Sequence, residues 1–239
     1  MIKNKTQNSY QLQNMTTYTS ALKQTVLFIT CLLILIACSK KNDTVDESKG
    51  ASTTIKDLPG DTTASMQTGG TASFQNLYFS FATGTAVTIS DADKTTTKWD
   101  LAFTGPYNSE VYVNYGGYKY NPGYNGVGVG AVIQIDKPFD QVTAAPSPAE
   151  FDAASMTKIG WDAGSGAGWF FYSMDNHIAV PIKNRTFVLR TANGKFAKLE
   201  LINVYKGNPP VVTDLFWPAP YLTFRYFVQQ DGSNNLSTN

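Results

Sequence analysis

From residue 73 onward, short runs of alternating aromatic and aliphatic residues, broken by Gly, Pro and Asn, dominate the chain. A period of two puts successive side chains on opposite faces, so such runs fold as strands. Residues 74–82 (FQNLYFSFA) place Leu77, Phe79 and Phe81 on one face. Further strands are expected over 98–103 (KWDLAF), 110–115 (EVYVNY), 131–135 (AVIQI), 169–173 (WFFYS) and 221–228 (YLTFRYFV). Residues 186–191 and 195–204 flank Asn193-Gly194, which predicts a hairpin with a type I′ turn. Ser147-Pro148-Ala149-Glu150 is a capping box with Pro at the first helical position, and predicts a short helix through Met156. The pattern as a whole predicts an all-β fold: antiparallel sheets in a sandwich or barrel, with at most one or two short helices.

Two segments resist this pattern. Residues 115–130 (YGGYKYNPGYNGVGVG) lack a strand-to-helix context and a following Lys, so they are not a phosphate loop. They read as a mobile loop or as a lip over a ligand. Residues 206–219 are Pro-rich and contain Trp217.

The N-terminus carries a different signal. Lys23 precedes a 13-residue apolar run, Thr25 to Ala37, which suits a secretory h-region and is short for a membrane span. The run ends in Leu35-Ile36-Ala37-Cys38, which resembles a bacterial lipobox. Residues 1–37 are therefore expected to be a signal peptide, with Met1 or Met15 as its start, and Cys38 the acylated first residue of the mature protein. Residues 38–71 are polar and free of aromatics, and read as a lipidated flexible tether with an r.m.s. span of about 30 Å. The folded domain is expected over 72–239. Ser39 is not an acidic retention signal, so the expected location is the outer membrane of a Gram-negative bacterium, exposed at the surface, with membrane contact through the lipid alone.

Composition removes several function classes. The formal net charge is +1. Lys3, Lys5 and Lys23 are the only charged residues before Cys38, so the mature chain keeps 16 basic residues against 18 acidic ones. No basic run exists to grip nucleic acid. Cys31 leaves with the signal and Cys38 is acylated, which leaves no thiol for zinc, an iron–sulfur cluster or nucleophilic catalysis. His177 is the single histidine. A catalytic triad or multi-histidine metal site has little to build on, and the chain is not expected to be an enzyme.

Three blocks in order resemble the HmuY family of haem-binding lipoproteins: 79–105 (FSFATGTAVTISDADKTTTKWDLAFTG), 139–146 (FDQVTAAP) and 169–205 (WFFYSMDNHIAVPIKNRTFVLRTANGKFAKLELINVY). The resemblance implies an all-β HmuY fold with haem b held at one end as transported cargo. It also implies two axial side chains on the iron, His–His or Met–Met. The second ligand of the family follows a Trp and a short aromatic strand, which here points to Met174 after Trp169-Phe170-Phe171-Tyr172-Ser173. The first lies upstream, where Met156 is the only Met or His, 18 residues before Met174. A thioether is a soft neutral ligand that favours ferrous iron, and the neighbouring rings suit a porphyrin. His177 is an alternative ligand or a partner for a propionate, and Tyr172 a phenolate candidate. The implied partners are haem, host haemoproteins as donors and a TonB-dependent outer-membrane receptor as acceptor. The competing expectation is an all-β surface lipoprotein that binds a glycan or peptide through its aromatic loops.

Overall fold

The computed structural model describes residues 49–66 and 73–239. The expected signal peptide, Cys38 and residues 39–48 and 67–71 of the expected tether lie outside the described residues. Among the described residues, no helix is long and apolar enough to cross a membrane.

The described residues form strands β1 (Thr53–Pro59), β2 (Leu77–Ser80), β3 (Thr85–Val87), β4 (Leu101–Thr104), β5 (Glu110–Val113), β6 (Ala131–Ile135), β7 (Phe170–Ser173), β8 (Ile178–Pro181), β9 (Thr186–Arg190), β10 (Phe196–Asn203) and β11 (Tyr221–Val228). Among the described residues the α-helix is α1 (Pro148–Ala153), which starts where the capping box predicts: Ser147 Oγ accepts from Glu150 N–H and the Glu150 carboxylate accepts from Ser147 N–H. It stops three residues short of Met156. The strands form a five-stranded sheet, β1-β11-β10-β9-β6, a four-stranded sheet, β3-β2-β4-β5, and the isolated hairpin β7-β8. Every pairing between these strands is antiparallel, and the all-β reading of the sequence holds.

The two larger sheets close on one apolar core. Phe79, Leu101, Phe103, Val111 and Val113 from the four-stranded sheet meet Phe187, Leu189, Leu199, Phe224 and Tyr226 from the five-stranded one. Phe79 and Phe224 pack edge to face with centroids 5.1 Å apart, an arrangement aromatic quadrupoles favour. The alternation of β2 is visible here: Leu77, Phe79 and Phe81 point to this core. Its opposite face is also covered, since Tyr78 packs with Trp99, Ala102 and Tyr112 in a second cluster.

Three sequence expectations change. Residues 38–71 are not a tether throughout, because Thr53–Pro59 pairs with β11 as an edge strand. Ile55 and Leu58 pack on the core. Their spacing of three hides the alternation, because the register shifts between them and Asp57 takes φ 50°. The β9–β10 turn is not type I′, since Gly194 alone has positive φ there (81°). Gly194 N–H donates to Thr191 O, and Thr191 N–H to Lys195 O, closing a three-residue loop with Gly in the left-handed position. The Tyr/Gly loop of 115–130 is pinned to the body: Val127 N–H donates to Thr95 O and Gly130 N–H to Asn114 O. Its glycines answer to close approach. A Cβ on Gly128 would sit 2.2 Å from Asn114 Oδ1. The 206–219 segment is likewise stapled, with Trp217 Nε1–H donating to Lys206 O at 2.9 Å.

Candidate haem site at the β7–β8 hairpin

Hairpin β7–β8 stands apart from both sheets, and its aromatic content explains how it is held. Phe170 and Ile178 are buried in the main core. Trp169, also buried, donates its indole N–H to Ser109 O at 2.7 Å. Ala179 N–H donates to Tyr205 Oη at 3.0 Å, which docks β8 at the end of the five-stranded sheet where β10 stops and β11 begins. The strand alternation then leaves Phe171 and its cross-strand neighbour Val180 exposed.

Beside β7 runs the segment 160–168. Trp161 bridges Phe170, and Asp162 N–H donates to Phe170 O at 2.8 Å. The segment is locked by a nearly buried ion pair. Arg185 donates to Asp162 Oδ2 at 3.0 Å and to Gly168 O at 2.9 Å. The other Asp162 oxygen accepts from Gly164 N–H and Gly166 N–H. The Arg185 hydrogen bond, with those two amides, holds the Asp162 carboxyl below the usual carboxylate range. Gly168 has φ 127°, and a Cβ there would fall 2.5 Å from Gly160 O, so only glycine fits. From the other side, Gln134 of β6 donates to Gly166 O and accepts from Gly168 N–H.

Between hairpin and segment lies an open concavity of about 330 Å³ lined by Trp161, Ala163, Gly164, Phe171, Tyr172, Ser173, Met174 and Asp175. Its lining is mainly apolar side chain. Trp161 and Tyr172 meet edge to face at 5.9 Å. Met174, at the start of the four-residue hairpin loop, is 64% exposed, so its sulfur is available to a ligand. Burial, and after it the Tyr107 phenol, raises the pKa of Tyr172, so Tyr172 keeps its proton. Tyr172 Oη lies 3.1 Å from His177 Nδ1. His177 closes the loop at φ 57°, with its N–H on Ser173 O at 2.8 Å.

The structure thus brings three of the four sequence candidates, Tyr172, Met174 and His177, to one hairpin tip. Met156 is elsewhere. It lines a second depression with Val132, Ile133, Gln134, Glu150, Ala153, Ala154 and Ser155. Sequence reasoning passed over Trp161 and the Asp162–Arg185 lock, and it named Phe171 among the rings beside Met174. Trp161 sits amid Gly160, Gly164, Gly166 and Gly168, a pattern that signals close backbone approach beside an aromatic. Among the described residues, no cluster of three or more His, Cys, Asp or Glu side chains is placed to hold a bare metal ion.

A family model described as HmuY protein matches residues 74–213. The chain belongs to the HmuY family. The HmuY match spans β2 to β10 and all four candidate residues, and leaves out β1 and β11. Solved structures similar to this chain include an apo HmuY analog from Tannerella forsythia, 14% identical, with a TM-score of 0.42 over 75% of this chain and 95% of that one. A protein from Bacteroides vulgatus described as HmuY-like and haem-binding is 15% identical, with a TM-score of 0.37 over 76% and 93%. A protein from Bacteroides fragilis described as a lipoprotein is 16% identical, with a TM-score of 0.36 over 73% and 88%. No curated protein matches the chain.

Proposed function

We propose that the protein is a surface-anchored haem carrier whose binding face is the β7–β8 concavity. The observation that supports this most is the coincidence of an exposed soft ligand, Met174, with an open wall of Trp161, Phe171 and Tyr172. That donor set suits one face of an iron porphyrin: rings for the macrocycle, a thioether for the metal. Burying about 300–400 Å² of apolar ligand surface contributes on the order of 8–10 kcal/mol before ordering costs. Membership of the HmuY family points the same way.

Met156 is the proposed ligand for the opposite face, and this demands a rearrangement. The 162–168 segment gives Ala163 and Gly164 to the Met174 concavity and is tied to Gln134 of the Met156 depression. A Cβ built on Gly164 or Gly166 would meet nothing within 4 Å, so this side of the segment faces open space. Carriage from host haemoproteins to an outer-membrane receptor accords with a lipid anchor at Cys38. The described chain begins near Gly50, beside Phe227, at one end of β11. The hairpin docks at Tyr205, near the other end, about 25 Å away along an eight-residue strand.

Titration of the purified protein with haem tests the reading. A sharp Soret band that strengthens under dithionite is expected, with loss of most of it in Trp161→Ala/Phe171→Ala. Spectra no different from free haem would refute the proposal and favour a glycan or peptide ligand instead.

A further inference from the structure

We propose that the loop of residues 115–130 seats the domain on the lipid bilayer to which Cys38 ties it. This rests on the anchoring in the reading above and needs nothing from haem. The composition of the loop suits a membrane interface. Tyr115, Tyr120 and Tyr124 are 40%, 64% and 44% exposed, and Val127 and Val129 are 71% and 44% exposed. Lys119 is the only charged residue in the loop, which contains no acid. A phenol joins an apolar ring to a hydroxyl, which is why Tyr gathers at headgroup level. A Lys beside it lays its stem along apolar surface and keeps its ammonium among the phosphates. Lys119 Nζ already lies 4.7 Å from the Tyr120 ring centroid. The acids of the adjoining turn, Asp91 and Asp93, are paired with Lys94 and Lys98. The loop also holds this face outward before any surface meets it. Gly116 N–H donates to Gly128 O, and Asn125 N–H to Gly116 O. Asn121, buried beneath, donates to Val113 O and accepts from Gly123 N–H.

Position in the fold selects a bilayer as the occupant. The loop leads into β6 at Ala131, which pairs with Arg190 at the end of β9. Phe196, across from Arg190, opens β10, and Ala197 pairs with Val228 at the end of β11. Gly50 lies beside Phe227, just before β1 begins. Loop and Gly50 therefore share one end of the five-stranded sheet, four strand spacings or about 20 Å apart. Gly50 comes twelve residues after Cys38, a length that even a fully extended chain stretches to only about 40 Å. An acyl chain on Cys38 thus holds this end of the sheet within reach of lipid at high local concentration, where a weak aromatic contact is enough to engage.

The test uses the full-length protein, expressed with its own leader and reconstituted into phosphatidylcholine vesicles. Cys31 leaves with the expected signal and Cys38 carries the lipid, so Val127→Cys supplies a single thiol for a nitroxide label. Val211→Cys is the control: this valine is 68% exposed, and its segment joins the end of β10 to the start of β11, at the opposite end of the sheet. Spin relaxation by oxygen, which concentrates in lipid, and by a nickel chelate, which stays in water, reads the depth of each label. Nickel collisions at Val127 are expected to be about fivefold rarer than at Val211, with oxygen collisions more frequent. Adding Tyr120→Ser and Tyr124→Ser should return the Val127 label most of the way to the Val211 values, with the circular dichroism unchanged. Equal nickel access at the two positions would overturn the contact while the anchoring stands. A Val127 label shielded from both reagents would overturn it in favour of a protein partner. Protein that fails to float with the vesicles would overturn the anchoring, and the contact with it.

Discussion

Replacing Lys198 with Met should abolish a pH dependence of stability that the wild-type protein carries. Lys198 lies in β10 with no exposed surface. Its ammonium donates to Phe139 O at 2.9 Å, Val142 O at 3.0 Å and Thr238 Oγ1 at 3.1 Å, and sits 4.2 Å from the Phe139 ring centroid. Burial lowers its pKa from 10.5 to about 8, with Asp140 opposing and Arg225 adding to the shift. Between those values the unfolded chain binds a proton that the folded one has released, so unfolding free energy rises with pH. One proton is worth about 1.4 kcal/mol per pH unit, so the gain from pH 8 to about 9.5 is about 2 kcal/mol. Higher pH obscures it: burial raises the phenols of Tyr112, Tyr205 and Tyr226, which titrate first in the unfolded chain and lower stability there. Urea unfolding in half-unit steps from pH 7 to 9.5 measures the slope. Lys198→Met should be flat over the upper part of this range. A variant with the wild-type slope, or a flat wild type, would refute the reasoning.

Two packing predictions accompany this and the haem titrations described above. Arg185→Ala strands the Asp162 carboxylate against Gly164 and Gly166, and is expected to cost about 3 kcal/mol by urea unfolding and to raise protease cleavage within 162–168. Gly128→Ala drives a methyl group onto Asn114, whose Nδ2–H already serves Thr96 O and Trp99 O, and should cost about 1–3 kcal/mol in the same assay.

Much of this fold could be read from side-chain periodicity alone. The bounds of β6 and β11 coincide with the expected runs, because both pack apolar residues against a neighbour over their whole length. The capping box located α1, because Ser147 and Glu150 act through bonds to their own backbone and need no tertiary partner. Strand β1 escaped for the converse reason. An edge strand exposes Thr53, Thr54 and Lys56, and its bulge at Asp57 interrupts the period. Strand β8 is four residues ending in Pro181, too short to stand out after the Met174–His177 loop. The candidate site was half legible. Local sequence placed Tyr172, Met174 and His177 together, since a hairpin brings them together whatever else folds around it. Whether Met156 faces Met174 depends on how 154–168 crosses the end of the sheet, and no spacing rule encodes that.

The clasp at Gly50 has a mechanical consequence. Gly50 donates to Ser237 O and accepts from Asn239 N–H, so the described chain enters the fold and leaves it side by side. On the proposed anchoring, any tug transmitted from the lipid is met by the carboxyl-terminal residues before it loads β1. A reporter fused after Asn239 would sit beside Gly50, whereas trimming the last few residues would remove both partners of the Gly50 clasp.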